Sequence, residues 1–302
     1  MQKEFYSNGK LLLTGEYAIL DGALGLAVPT KYGQSLKVTS SASGVLDWTS
    51  LDEKGEVWFQ GTFDLQNFKA LSHSDVEVAK TLAHLLLETR KQNPNFLLDS
   101  HGTKVETKLS FPRSWGLGSS STLINNMAQW SQTNAYQLLW NAFGGSGYDI
   151  ACAQHNLPIT YQLQNSLPKV DEVLFDPPFK ESFYFVYLNQ KRRSKDAIAA
   201  YRQRQSRNEH LIHDISSLTQ KMIQAVSLRE FESVMEQHET MLSEVLEIPT
   251  VKSQYFSDYA GSIKSLGAWG GDFVLATGND QTLDYFSAKG FNTVIPYSKM
   301  VL

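Results

Sequence analysis

The chain has 302 residues, 42% of them hydrophobic and 19% charged, enough to bury two cores without disulfide or metal staples. Its formal charge of −4 sets up no positive field to draw nucleic acid. A single cysteine, Cys152, excludes an internal disulfide and a thiolate metal cluster, which fits a reducing, cytoplasmic setting.

No apolar run approaches the roughly 20 residues that a membrane helix needs. The first apolar stretch, in MQKEFYSNGKLLLTGEYAIL, is broken by Thr14, Gly15 and Glu16, so no cleaved leader is expected. KLLLTG, GLAVPT and QSLKVTSS then read as strands, with a further strand pair around DEKGEVWFQGTF. At Ser74 the period changes. Ser74 and Glu77 have capping-box spacing, and Ala79, Leu82, Ala83 and Leu86 fall on one helical face. Val105, Thr107 and Leu109 alternate with Lys104, Glu106 and Lys108 as in a half-buried strand.

The stretch PRSWGLGSSST, Pro112 to Thr122, joins that strand to a helix read in TLINNMAQWSQ. Prolines 168, 177 and 178 mark a domain boundary, placed between residues 168 and 169. Beyond it FYFVYLN reads as a strand, and a long helical stretch opens at SKDAIAAYRQ. GDFVLATG, DQTLDYFSAKG and FNTVIP form a β-α-β alternation whose helix is closed by Gly290.

Four places carry chemistry. Gly116-Leu117-Gly118-Ser119-Ser120-Ser121 sits where unpartnered helix N–H groups and the helix dipole favour an anion, and glycine lets backbone approach closely. A plain capped turn explains the same residues. Neither a Walker A loop nor a dinucleotide fingerprint fits them. Lys10 opens an apolar strand ahead of Gly15-Glu16, and a lone lysine by itself reads as a solvated surface charge. Asp149 follows the bare turn GGSGY as an N-cap or as a rigidly held carboxylate for proton transfer. GAWGGD, Gly267 to Asp272, marks a tight turn or a close ligand approach. His210 and His213 share a helix face without an evident third ligand, and KRRSK at 191–195 is a charge run just after a strand.

In register, GK…GEYAIL, P-x3-GLGSS, SGYD and the late glycine-rich loop resemble the GHMP kinase superfamily, from about Gly9 to Ala276. Tyr17 after Gly-Glu, GSGYDIA and GAWGGD with Asp272 are similar to phosphomevalonate kinases, with mevalonate kinase as the alternative. The resemblance implies a two-domain α+β fold, a ribosomal-protein-S5-domain-2-like domain over 1–168 and a ferredoxin-like domain over 169–302. It implies an ATP- and Mg²⁺-dependent kinase of a small-molecule acceptor in isoprenoid precursor synthesis, and it admits a homodimer. By the same resemblance Gly116, Leu117, Gly118, Ser119, Ser120 and Ser121 bind the ATP phosphates, and Ser120 ligates Mg²⁺. Lys10 and Asp149 are catalytic, and Gly267, Ala268, Gly270 and Gly271 form the second glycine loop. Glu16, Tyr17, Ser146, Gly147, Arg193 and Ser194 lie on the acceptor side. Three positions depart from the pattern. No acidic residue stands in QLLWNAFGG where mevalonate kinase has a magnesium-binding glutamate, Trp269 replaces a glycine and is expected to narrow its loop, and Gly145 replaces a proline. These departures leave a non-catalytic nucleotide-binding homologue as the reading from another class.

Overall fold

Secondary structure follows the two periods read from the sequence, with local shifts that have physical causes. The computed structural model describes residues 2–98, 100–190, 201–202, 209–267, 269 and 271–302. The first half runs β1 (Gln2–Leu12), β2 (Gly25–Ser40), β3 (Val45–Leu51), β4 (Val57–Asp64), β5 (Ala70–His73), α1 (Val76–Gln92), β6 (Thr103–Leu109), α2 (Ser119–Ser131), α3 (Ala135–Ala142) and α4 (Tyr148–Gln154). Then come β7 (Ile159–Gln164), β8 (Leu167–Glu172), β9 (Phe183–Tyr187), α5 (Glu209–Gln224), α6 (Leu228–Leu246) and α7 (Val251–Tyr255). The chain closes with β10 (Ile263–Ser265), β11 (Phe273–Thr277), α8 (Gln281–Ala288), β12 (Val294–Pro296) and α9 (Tyr297–Met300).

Burial alternates residue by residue along β6, as its sequence alternation requires. GLAVPT and QSLKVTSS, expected as two strands, form the single strand β2. Its Pro29 lies between the registers with β7 at Gly25–Ala27 and with β6 at Gln34–Ser40, so neither of those ladders loses an N–H to it. Helix α1 begins one residue later than the capping box implied. Asp75, not Ser74, accepts the N–H groups of Glu77 at 2.9 Å and Val78 at 3.0 Å. Ser74 is already committed to β4, where its hydroxyl accepts from Gln60 N–H at 2.9 Å.

The chain groups into two compact units that are not consecutive in sequence. Unit 1 holds residues 1–9, 32–113 and 117–154, and unit 2 holds residues 10–31, 114–116 and 155–302. Residues 10–31 and 155–168 group with the C-terminal half of the chain. In unit 1 the strands run β5-β4-β3-β6-β2, with β3 and β6 parallel and the other pairs antiparallel. Leu82, Leu85 and Leu86 of α1 and Ile124 and Met127 of α2 share one core with Trp48, Phe59 and Phe63 of this sheet. Each such side chain contributes roughly 1.5–3 kcal/mol on burial. In unit 2 an antiparallel sheet runs β10-β11-β9-β12, and Phe256 and Phe286 pack with Val186, Ile263 and Val274 of its strands.

Candidate active site

In unit 1 the Gly–Ser stretch becomes the opening turn of α2. Gly118 caps the helix at φ 90°, a left-handed conformation that glycine adopts without strain. The side chain of Leu117 is buried and anchors the turn. The hydroxyls then divide. Ser121 donates back to the Gly118 carbonyl at 2.9 Å, and Thr122 donates to Gln34 Oε1 at 2.8 Å. Ser120 is exposed and Ser119 half-buried, at the N–H-rich end of the helix. Behind this end, Ser7, Asn125 and Asn126 form a buried network. Ser7 donates to Asn126 at 2.7 Å, Asn125 donates to Ser7 at 2.9 Å, and Asn126 donates to the Gln34 carbonyl at 2.8 Å. The network fixes α2 against β1 and β2 at a depth where any polar group must be paired.

Ser119 and Ser120 line a cavity of about 300 Å³ whose other walls include Trp48, Trp58, Leu82 and Phe143. The Arg113 guanidinium lies 3.6 Å over the Trp58 ring, while the Trp58 indole N–H is buried with no partner among the described residues. An apolar-walled cavity with one unused donor, opening at a helix N-terminus, suits a flat polar ring joined to an anion.

In unit 2 the Gly-Glu-Tyr segment lies between β1 and a short 3₁₀ helix, Ala18–Asp21. The Glu16 side chain has no exposed surface. Lys264 donates to its Oε1 at 2.5 Å and to the Ser265 carbonyl at 3.0 Å. His238 of α6, also fully buried, accepts the Gly15 N–H on Nε2 at 3.1 Å. Nε2 is therefore bare and the imidazole neutral; burial, helped by Lys264, holds its pKa well below the ordinary histidine value. The neighbouring Glu239 accepts Ser265 N–H at 3.0 Å and lies 3.8 Å from Lys264 Nζ. Glu232, Glu236 and Glu239 form an i, i+4, i+7 stripe on α6 that meets Thr277, Ser262 and Ser265 of the adjoining sheet.

One lysine cannot neutralise two buried carboxylates. Burial pushes Glu16 up from the ordinary carboxylate value against the pull of Lys264, and burial carries Glu239 up to about 8. Glu239 is thus protonated for the most part at neutral pH, and its Oε2 accepts from the Ser265 hydroxyl at 3.3 Å. A carboxyl with a raised folded pKa stabilises fully below its unfolded pKa and loses that contribution as pH rises through the folded value. Stability should accordingly fall between about pH 5 and 8, by at most roughly 4–5 kcal/mol from this group. Glu239→Gln copies the neutral form and should flatten that fall, measured as urea midpoints at pH 5.5 and pH 8.

The other expected site residues fall as follows. Lys10 lies half-buried in β1 and belongs to unit 2. Ser146, Gly147 and Asp149 belong to unit 1. Gly147 at φ 96° turns the chain into α4, and Asp149 is in its first turn, half-buried. Gly116 belongs to unit 2 at φ 66°, and the Asp272 carboxylate fills the space a Cβ there would need, 1.8 Å from its position. Trp115 packs edge-on against Phe273 at 5.5 Å, and Tyr187 donates to the Ser114 carbonyl at 3.0 Å, which fastens this short segment. Gly267 stands at φ 67° in open space and Gly271 is buried. Ala268, Gly270 and the 191–195 cluster with Arg193 and Ser194 lie outside the described residues. The Trp269 ring, expected to narrow its loop, is buried in a core with Leu211, Ile215, Leu242 and Leu246 of α5 and α6. Sequence reading did not single out Trp58, Arg113, His238, Glu239 or Lys264.

The residues present fit a nucleotide: a glycine-capped helix end, two accessible hydroxyls and an adjoining cavity with an unused indole donor. No group of three His, Cys, Asp or Glu side chains among the described residues could hold a metal alone. Mg²⁺ keeps several waters and commonly takes only one or two protein ligands beside substrate phosphates, which Ser120 suits. No helix among the described residues is long and apolar enough to cross a membrane.

No family model matches the chain, and no curated protein matches it in sequence. Its likeness is structural. Methanococcus jannaschii mevalonate kinase aligns at a TM-score of 0.70 with 13% identity, covering 97% of this chain and 96% of that one. Streptococcus pneumoniae phosphomevalonate kinase, solved in complex with phosphomevalonate and AMPPNP, aligns at 0.69 with 15% identity and 95% coverage of both chains. Lactococcus lactis galactokinase, complexed with galactose, aligns at 0.67 with 15% identity, over 96% of this chain and 89% of that one. All three are GHMP superfamily proteins, and this chain has their α+β fold.

Proposed function

We propose that this chain is an ATP-dependent kinase whose acceptor is phosphomevalonate, with mevalonate as the alternative. The observation that carries the kinase reading is the opening of α2, where Gly118 caps the helix and Ser119 and Ser120 border the cavity walled by Trp58. Mg·ATP, when bound, supplies the phosphoryl group and part of the charge neutralisation. In this reading the N–H groups and hydroxyls of residues 118–120 hold phosphate oxygens, Ser120 ligates the metal, and the nucleotide base enters the cavity and takes the Trp58 N–H. Lys10 holds charge on the transferring group, and Asp149 orients the acceptor or removes its proton. Phosphoryl transfer asks little more of a protein than positioning and charge.

The acceptor assignment rests on Tyr17, the GSGYDIA form and Asp272. Phosphomevalonate brings an additional phosphate, so the cationic run at 191–195 is the counterpart this reading requires. The test is ADP release from Mg·ATP in the presence of mevalonate, phosphomevalonate, galactose or homoserine. Turnover with phosphomevalonate is the expected result. Turnover with mevalonate alone moves the assignment to that alcohol, and silence with all four alongside measurable ATP binding overturns the kinase reading.

A further inference from the structure

Gly15–Tyr17 departs most from ordinary backbone. The Ala18 N–H donates to the Glu16 carbonyl at 2.7 Å across Tyr17, which stands at φ 61°, ψ −51°. This is a γ-turn of the positive-φ form, which a residue with a side chain adopts only under strain. Such a conformation persists where surrounding structure over-determines it, and here each of the three residues is gripped by a different group. Gly15 N–H donates to His238, Glu16 accepts from Lys264, and the Tyr17 hydroxyl accepts the Trp269 N–H at 2.8 Å. The Tyr17 ring stacks on Tyr201 at 5.5 Å, and Tyr201 donates to Asp21 at 2.7 Å, which closes the segment from its other end.

The fastening is chemically extravagant. Packed hydrophobic residues would hold two segments together as well as a buried ion pair, without the desolvation cost. What ionic and polar contacts add is a fixed geometry. Lys264 reaches the Glu16 carboxylate and the Ser265 carbonyl at the end of β10 at once, and Glu239 holds the N–H of the same Ser265. The Glu16 carboxylate, given to the acceptor side by resemblance, is inaccessible and committed to Lys264, and the Tyr17 hydroxyl is committed to Trp269. Their contribution is indirect.

We propose that His238, Lys264 and Trp269 are positioning residues that hold the strained Gly15–Tyr17 turn, and through it the strand end bearing Lys10, in one geometry for phosphoryl transfer. The proposal rests on the kinase reading for its chemistry, and on unit 2 alone for its geometry.

The test combines two readouts on the full chain. Glu16→Gln/Lys264→Met removes both charges together, so that neither is orphaned. Amide hydrogen exchange in residues 13–20 should quicken at least about tenfold, with α1 and α2 unchanged. kcat should fall about 10–100-fold while KM for ATP stays within about threefold, the signature of misplacement rather than lost nucleotide binding. His238→Leu removes the acceptor of the Gly15 N–H and the 3.4 Å approach of Nε2 to Glu16 Oε2 while leaving Lys264 in place, and it should give the same pattern at smaller amplitude, which serves if the double variant does not fold. Unchanged exchange at 13–20 overturns the clamp. Faster exchange with undiminished kcat, or a loss of protection spread over both units, overturns the positioning role. If the unsubstituted protein turns over no acceptor, the kinase reading falls by itself, and the exchange arm still decides whether the turn is clamped.

Discussion

Asp149→Asn is expected to lower kcat for an alcohol acceptor about 10²–10⁴-fold and to leave ATP affinity within about threefold. The carboxylate is in the first turn of a short helix, set there by Gly147 at φ 96°, and the replacement keeps its shape while deleting its charge. An alcohol holds its proton tightly at neutral pH, so a positioned base has work to do. A phosphomonoester is already largely dianionic, with a second pKa near 6. With phosphomevalonate the same substitution should therefore cost only about tenfold, through geometry or metal placement, at the low end of general-base effects. The ratio of the two losses, from kcat measured with each acceptor and ATP Kd measured separately, identifies the role. Equal losses with both acceptors would remove proton abstraction as the function of Asp149. An unaltered rate with both would remove Asp149 from the site.

What the sequence made legible was local. The alternation of β6 depends on neighbours a few residues away and is where it was expected, whereas α2 starts at Ser119, three residues ahead of the Thr122 start read in TLINNMAQWSQ, because Gly118 caps it in a left-handed turn. The cap of α1 missed by one residue because Ser74 is claimed by Gln60, a partner across the sheet that local spacing does not reveal. The two units interleave in sequence for a related reason: β2 runs from unit 2 into unit 1 between Lys31 and Tyr32, inside one continuous strand. The groups around the candidate site were the least legible. Trp58 and Arg113 reach the cavity beside Ser119 from strand and loop positions that look ordinary. Lys264 stands in IKSLGAWGG, where a lone lysine reads as a surface charge. Only the structure shows that every residue of its strand is buried, and a lysine there must have an anion, which is Glu16, some 250 positions earlier.

Lys264→Met should be the most destabilising of these substitutions, by about 3–5 kcal/mol at neutral pH, because it strands a carboxylate whose side chain has no exposed surface. The chain's escape is to protonate Glu16. Burial already raises that pKa, and the opposing pull of Lys264 is what the substitution removes. With the folded pKa far above the unfolded one, stability is fully present below the unfolded pKa and is lost as pH rises toward the folded value. The slope reaches about 1.4 kcal/mol per pH unit. The deficit relative to the unsubstituted protein should accordingly be small at pH 5 and several-fold larger at pH 8, read as urea unfolding free energies. Glu16→Gln/Lys264→Met should regain most of it at pH 8, since an amide needs no counter-ion, and what it fails to regain reflects the other partners of Lys264, the Ser265 carbonyl and Glu239. A deficit that is below about 1 kcal/mol and flat with pH is the behaviour of a solvated surface pair, and would mean that water reaches Glu16 and that the ion pair does not fix the turn.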